Sequence, residues 1–264
     1  MSFSQKLFQL RSFITYWLDA VDEHSLHSPF LFSLYTNVLK KNTVDPSVDL
    51  LTLTRQHFER DGRMLSITDF GAGSVKLKVP LRKISDIARL SATPEKYSKL
   101  YTRIIRNYGC KYIVELGTSL GINTIYLAGI NNDIEVTTFE GSSELAVIAR
   151  SLFQDKGLNN IKMIEGNIDN TLLPYLSSVA QVDFILMDAN HRYDATLKYF
   201  EWLLTKVHNL SVIVMDDIHY SLEMEEAWHD IQTHERVVTT IDLYRCGLIF
   251  FNPSLTRQNV VLKF

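Results

Sequence analysis

Cysteine is scarce in this chain: Cys110 and Cys246 are the only two among 264 residues. They lie far apart with no CxxC spacing, which argues against a disulfide scaffold or a zinc knuckle and suits a reducing compartment. Long apolar runs are missing as well. No window approaches the roughly 18 uninterrupted apolar residues that a membrane span requires. The opening residues, MSFSQKLFQLRSF, lack the continuous apolar core of a signal peptide. Nor does one sign of charge dominate: the formal net charge of −3 supplies no general attraction for nucleic acid. Internal repeats and low-complexity tracts are absent. What remains is the composition of an ordinary globular protein, expected in the cytoplasm, with one large domain or a domain plus a cap.

The organisation changes along the chain. Residues 3–20 carry apolar positions Phe3, Leu7, Leu10, Phe13, Ile14, Trp17 and Leu18 near helical spacing. SPFLFSLYTNVLKK predicts a second helix, with Ser28 as its cap and Pro29 at its first position. A further helix is expected over Thr93–Asn107. After Cys110, short apolar runs alternate with helical segments: KYIVEL, IEVTTFE, IKMIEG, VDFILMD and SVIVMDD, then VVTTIDL and LIFF. Five βα units in series imply a parallel sheet with helices on both faces. The last two runs, joined by YRCG, predict an antiparallel edge hairpin. The expectation is an N-terminal helical cap over 1–107 and a doubly wound α/β domain over 108–264.

Two glycine-spaced loops follow an acid: TDFGAGS at 68–74 and VELGTSLG at 114–121. In an open α/β sheet the ligand lies beyond the C-terminal strand ends. The second loop follows a buried strand, enters the helix INTIYLAGI, and precedes a strand ending at Glu140, 25 positions after Glu115. The first loop runs instead into VKLKVPLRK, where Pro80 interrupts any helix. The cofactor loop is therefore 114–121. It has two glycines, Gly117 and Gly121, rather than the three of a dinucleotide fingerprint, and Glu115 would repel a pyrophosphate. A cationic, phosphate-free ligand such as S-adenosylmethionine suits it, with Thr118 and Ser119 lining the turn and Glu140 accepting from the ribose hydroxyls. The bland alternative makes Glu115 a helix cap and Glu140 a solvated strand end.

VELGTSLG, Glu140, GNID and FILMDANH together resemble the class I S-adenosylmethionine-dependent methyltransferases. That resemblance implies a seven-stranded, mostly parallel sheet whose last two strands form the hairpin, and it implies Asn167 near the adenine. An Asn after Gly is otherwise a common turn residue.

Acids also close the next two strands: Asp188 in FILMDANHRY, and Asp216 and Asp217 in VIVMDDIHY. Neighbouring strands lie about 5 Å apart, so acids at the same end of adjacent strands converge. Three bare carboxylates would repel one another, and an oxygen-preferring divalent cation relieves that. Magnesium is the economical expectation, held by Asp188, Asp216 and Asp217. His191, three residues after Asp188, is a candidate general base. The pattern resembles metal-dependent O-methyltransferases of the macrocin type and, less closely, of the catechol type. The catechol type has an amide where Asp217 stands and a lysine where His191 stands, which points away from a catechol acceptor. The resemblance implies that Asp188 also borders the cofactor. The expected reaction transfers a methyl group to a hydroxyl of a small molecule: a vicinal diol, sugar or phenol. Asp217 could instead cap the helix in SLEMEEAW.

Other features admit plain readings. Lys76, Lys78, Arg82 and Lys83 form a solvated face or, on a sharper reading, part of a lid over 68–83. His24 and His27 are a pair without a third ligand. His219 is a surface histidine or one that orients substrate. Two further functions remain open: methylation of RNA or protein, and a cofactor-binding interaction protein without turnover. Self-association is open too.

Overall fold

The computed structural model describes residues 3–41, 46–67 and 81–264. The glycine loop at 68–74, with Lys76 and Lys78, lies outside them. The chain opens with α1 (Phe3–Asp19) and α2 (Pro29–Leu34), and α2 starts as expected: Ser28 Oγ accepts from Leu31 N, with Pro29 in the first turn. The contacts divide the chain into two compact units. Met1–Lys41 groups with Gln181–Phe264, and Asn42–Ala180 forms the other.

In the unit Asn42–Ala180, α3 (Pro46–Phe58) leads to a short antiparallel pair, β1 (Met64–Ser66) and β2 (Leu81–Lys83). Next come α4 (Ile84–Leu90) and α5 (Glu95–Tyr108), the latter closed by Gly109 in the left-handed conformation. The three strands that follow are parallel: β3 (Tyr112–Leu116), β4 (Glu135–Glu140) and β5 (Ile161–Glu165), with β4 in the middle. The connections between them are α6 (Ile122–Ala128) and α7 (Ser143–Asp155), and α8 (Ile168–Ser178) follows β5. Strand β3 is buried from Ile113 to Leu116, as a strand covered on both faces should be. A core of Leu51, Phe58, Ile84 and Ile87 packs against Leu120, Ile122, Ile125 and Phe153. The early helices thus support the turn between β3 and α6 from behind.

The other unit holds β6 (Val182–Met187), α9 (Tyr193–Leu204), β7 (Val207–Asp216) and α10 (Leu222–Thr233). It continues with β8 (Thr239–Asp242), β9 (Cys246–Phe250) and β10 (Gln258–Val261). The strand order is β10-β8-β9-β7-β6. Strands β6 and β7 are parallel, while β9 runs antiparallel to β7 and β8, which is the expected hairpin. Gly247 stands in β9 because a Cβ there would come 2.3 Å from the Trp228 ring. The four-residue β10 pairs parallel to β8 and extends the edge beyond the strands read from sequence. Helix α1 is tied to this unit: Tyr16 Oη donates to Leu262 O at 2.7 Å, and Phe13 meets the edge of Tyr244 at 5.1 Å. The fold is mixed α/β with a mostly parallel sheet, as expected. No helix among the described residues is long and apolar enough to cross a membrane.

Candidate active site

The turn after β3 is built from within. Glu115 is fully buried, and its two carboxylate oxygens accept from Asn123 Nδ2 at 3.0 Å, Thr124 Oγ1 at 2.5 Å and Thr138 Oγ1 at 2.7 Å. Burial pushes its pKa up to about 7 despite those three donors. Glu115 therefore bolts β3 to α6 and β4. Glu140 does a related task nearer the surface. Its Oε2 accepts from Ser119 N at 2.7 Å and its Oε1 from Ser142 N at 2.8 Å, joining the turns after β3 and β4. Ser119 is thereby held at φ +50°, between Gly117 at +100° and Gly121 at +76°. Gly121 has no substitute: a Cβ would lie 2.7 Å from Phe153 in a left-handed backbone. The Thr118 and Thr138 hydroxyls meet at 2.6 Å. Asn167 caps α8, its side chain accepting from Asp169 N at 2.9 Å.

The second cluster lies in the other unit, at the C-terminal ends of β6 and β7. Asp188, His191 and Asp217 each present one ligand atom, all within 4.8 Å of one another. His191 Nε2 is 3.5 Å from Asp188 Oδ1, and its ring lies 5.9 Å from that of Tyr220. Donors around one divalent cation lie about 3–5 Å apart, so oxygen and imidazole atoms within 4.8 Å of one another fit one. Asp216 differs from the other expected ligands. It has no exposed surface and pairs with Arg245 Nη2 at 3.0 Å, while the same nitrogen lies 3.4 Å from Asp217 Oδ1. Burial pushes the Asp216 carboxyl up and Arg245 pulls it back. Three carboxyls gather here around one guanidinium, and a divalent cation would balance their excess of negative charge.

Backbone strain marks the same loops. The described residues other than glycine with positive φ are Ser119, Asn190, His191, Asp217 and Tyr244. Each lies in a turn that follows the C-terminal end of a strand: β3, β6, β7 or β8. Such outliers cost about 1–3 kcal/mol each and persist where the surroundings impose them, often at ligand sites.

Residues 114–218 match a family model described as a methyltransferase domain. The matched segment runs from the loop at 114–121 through Asp188, His191, Asp216 and Asp217. No curated protein matches the chain. Solved structures share its fold. An O-methyltransferase from Bacillus cereus in complex with SAH is 18% identical, over 81% of this chain and 94% of that one, with a TM-score of 0.57. The O-methyltransferase TomG from Streptomyces achromogenes, involved in tomaymycin synthesis and solved with SAM, is also 18% identical, over 83% and 95%, at 0.57. The SAH-bound Podospora anserina methyltransferase PaMTH1 is 14% identical, over 82% and 92%, at 0.59.

The unit that ends at Phe264 also contains a network that the sequence reading left at His219 alone. His219 Nδ1 lies 2.7 Å from Glu225 Oε1 and its Nε2 2.8 Å from Asp242 Oδ2, and the ring stacks on Tyr244 at 5.5 Å. Burial lowers the imidazole pKa, but the two carboxylates outweigh it and hold it at about 9. A histidine pKa raised on folding contributes stability that is complete below its unfolded pKa of about 6.5 and is lost as pH rises through about 9. Urea melts at pH 7 and pH 10 are therefore expected to show a loss on the order of 2 kcal/mol that is absent in His219→Gln. Equal slopes in both proteins would remove the charged histidine from the account.

Proposed function

We propose that the chain is an S-adenosylmethionine-dependent O-methyltransferase that uses magnesium to methylate a hydroxyl of a small-molecule acceptor, a vicinal diol, sugar or phenol. The observation that carries this reading is the match of residues 114–218 to a methyltransferase-domain model together with the cluster Asp188, His191 and Asp217 after the C-terminal ends of β6 and β7. The solved complexes with SAM and SAH share the fold and support the choice of cofactor.

S-adenosylmethionine supplies an electrophilic methyl group on a sulfonium. Magnesium supplies the positive charge that makes an acceptor hydroxyl easier to deprotonate. The chain's residues do the rest. Gly117, Thr118, Ser119 and Gly121 shape the turn that receives the cofactor, and Glu115 holds that turn from inside. Glu140 fixes the backbone of Ser119 and borders the ribose position, with Asn167 capping the helix beside the adenine position. Asp188 and Asp217 hold the cation. His191 takes the hydroxyl proton at Nε2, the atom that faces Asp188. One nitrogen cannot both ligate a cation and accept that proton, so His191 is assigned as the base. Positioning of nucleophile against methyl accounts for much of the rate. The helices of residues 1–107 and the variable loops supply acceptor selectivity.

Calorimetry of S-adenosylmethionine binding, followed by an acceptor screen of diols, sugars and phenols with magnesium or EDTA, tests the reading. Cofactor binding with turnover that EDTA abolishes and magnesium restores is the expected result. Turnover that is indifferent to EDTA would remove the cation from the proposal. Tight cofactor binding without turnover of any acceptor would favour an interaction protein.

A further inference from the structure

The sequence reading placed Asp216 among the cation ligands, yet it points at a guanidinium. Arg245 sits in the β8–β9 turn, one residue before Cys246, which is opposite Asp216 in the antiparallel register of β7 and β9. The backbone on both sides is tied. Arg245 N donates to Leu243 O at 2.9 Å, and Arg245 O accepts from Ile218 N at 3.2 Å. The side chain is delivered from a fixed turn and is about three-quarters buried, with 24% of its surface exposed. Its Nη2 donates to Asp216 and lies beside Asp217. Burial opposes the charge on Arg245, but Asp216, Asp217 and Asp188 together raise its pKa and keep it a cation.

We infer that Arg245 is a positioning residue that acts as an internal counter-cation, withholding Asp216 from the coordination set and weakening the hold of Asp188 and Asp217 on a divalent cation. The inference rests on the proposed cation-dependent reaction. Its physical basis is charge and dielectric. The pair is shielded from water, where a unit charge a few ångströms from the ligand oxygens is poorly screened. Removing Arg245 takes away a positive charge 3.4 Å from Asp217 Oδ1 and ends its pairing with Asp216. The guanidinium reaches Asp216 and Asp217 through Nη2, while its buried Nε has no hydrogen-bond partner, so the hold is one-pronged. Such a residue gives the site a cation that stays when the metal leaves. It keeps the acids from repelling one another in the cation-free protein, at a cost in metal affinity.

Manganese binding followed by electron paramagnetic resonance tests this without any turnover. Arg245→Gln is expected to bind Mn2+ about tenfold or more tightly than the parent protein, and Arg245→Lys to stay close to it. The double variant Arg245→Gln/Asp216→Asn restores the parental net charge and is expected within about threefold of the parent, since Asp216 is not a ligand. Circular dichroism establishes that each variant is folded. If Arg245→Gln does not fold, the double variant carries the test alone, because its loss of Mn2+ binding would make Asp216 a ligand and overturn the inference. Unchanged or weaker binding in folded Arg245→Gln would overturn it as well. No Mn2+ binding by any of the proteins, the parent included, would overturn the cation-dependent reaction itself, and is thereby distinguished from failure of the Arg245 assignment.

Discussion

Glu115→Ala is expected to lower stability by about 4 kcal/mol and to abolish measurable cofactor binding at ordinary concentrations. The carboxylate is fully buried and accepts from Asn123, Thr124 and Thr138, two of them on α6, the helix that follows the turn after β3. Alanine leaves a cavity and strands three donors, although Thr138 keeps the hydroxyl of Thr118. Each stranded buried donor costs about 1–3 kcal/mol. Glu115→Gln keeps the shape and can rebuild most of the bonds by rotating the two hydroxyls, so it should cost far less. The pH dependence separates the two changes. A carboxyl whose folded pKa is raised to about 7 contributes stability that is complete below its unfolded pKa and is lost as pH rises through about 7. The parent protein should therefore lose about 3 kcal/mol between pH 4.5 and pH 8 from this group, and the glutamine variant should not. Urea melts over that range, beside calorimetry of S-adenosylmethionine, check both statements. An alanine variant as stable as the parent would mean that Glu115 is not the bolt of this loop.

The reach of the sequence is uneven, and the reasons are physical. Strands β3 to β7 were legible because each is a short apolar run interrupted by a turn or an amphipathic helix, a pattern that depends only on local order. Acids at the ends of β3, β4, β6 and β7 were legible for the same reason. What each acid does was less so. Glu115 and Glu140 look alike in sequence, one two residues before Gly117 and the other directly before Gly141. Only the fold brings Thr138 from the neighbouring strand to Glu115 and Ser119 N back to Glu140. Asp216 and Asp217 are adjacent in the chain, so alternation along a strand sends their side chains different ways, although both reach Arg245 Nη2. One is buried against Arg245 and the other sits at φ +55° beside His191 and Asp188. Arg245 was hidden because an arginine in a hairpin turn carries no local signal; its role follows from antiparallel register. The short β10, half polar, gives too little alternation to be read.

His191→Asn is expected to reduce kcat by a factor of about 10² to 10³ with KM for S-adenosylmethionine unchanged, while Mn2+ affinity stays within about threefold. Asparagine approximates the size of the ring's near half and tolerates the left-handed backbone at φ +46°, so the loop that presents residue 191 should keep its course. What it lacks is a basic ring nitrogen. If the imidazole serves as base, the loss falls on the chemical step alone. Asp188→Asn makes the companion measurement, because Asp188 faces His191 Nε2 at 3.5 Å and belongs to the same donor group. That variant should lose both kcat and Mn2+ affinity, each by tenfold or more. The contrast between the two substitutions assigns the roles. A His191→Asn protein that loses Mn2+ affinity as severely as Asp188→Asn would make the imidazole a ligand, and the proton would then have to leave the acceptor hydroxyl by way of another group or water.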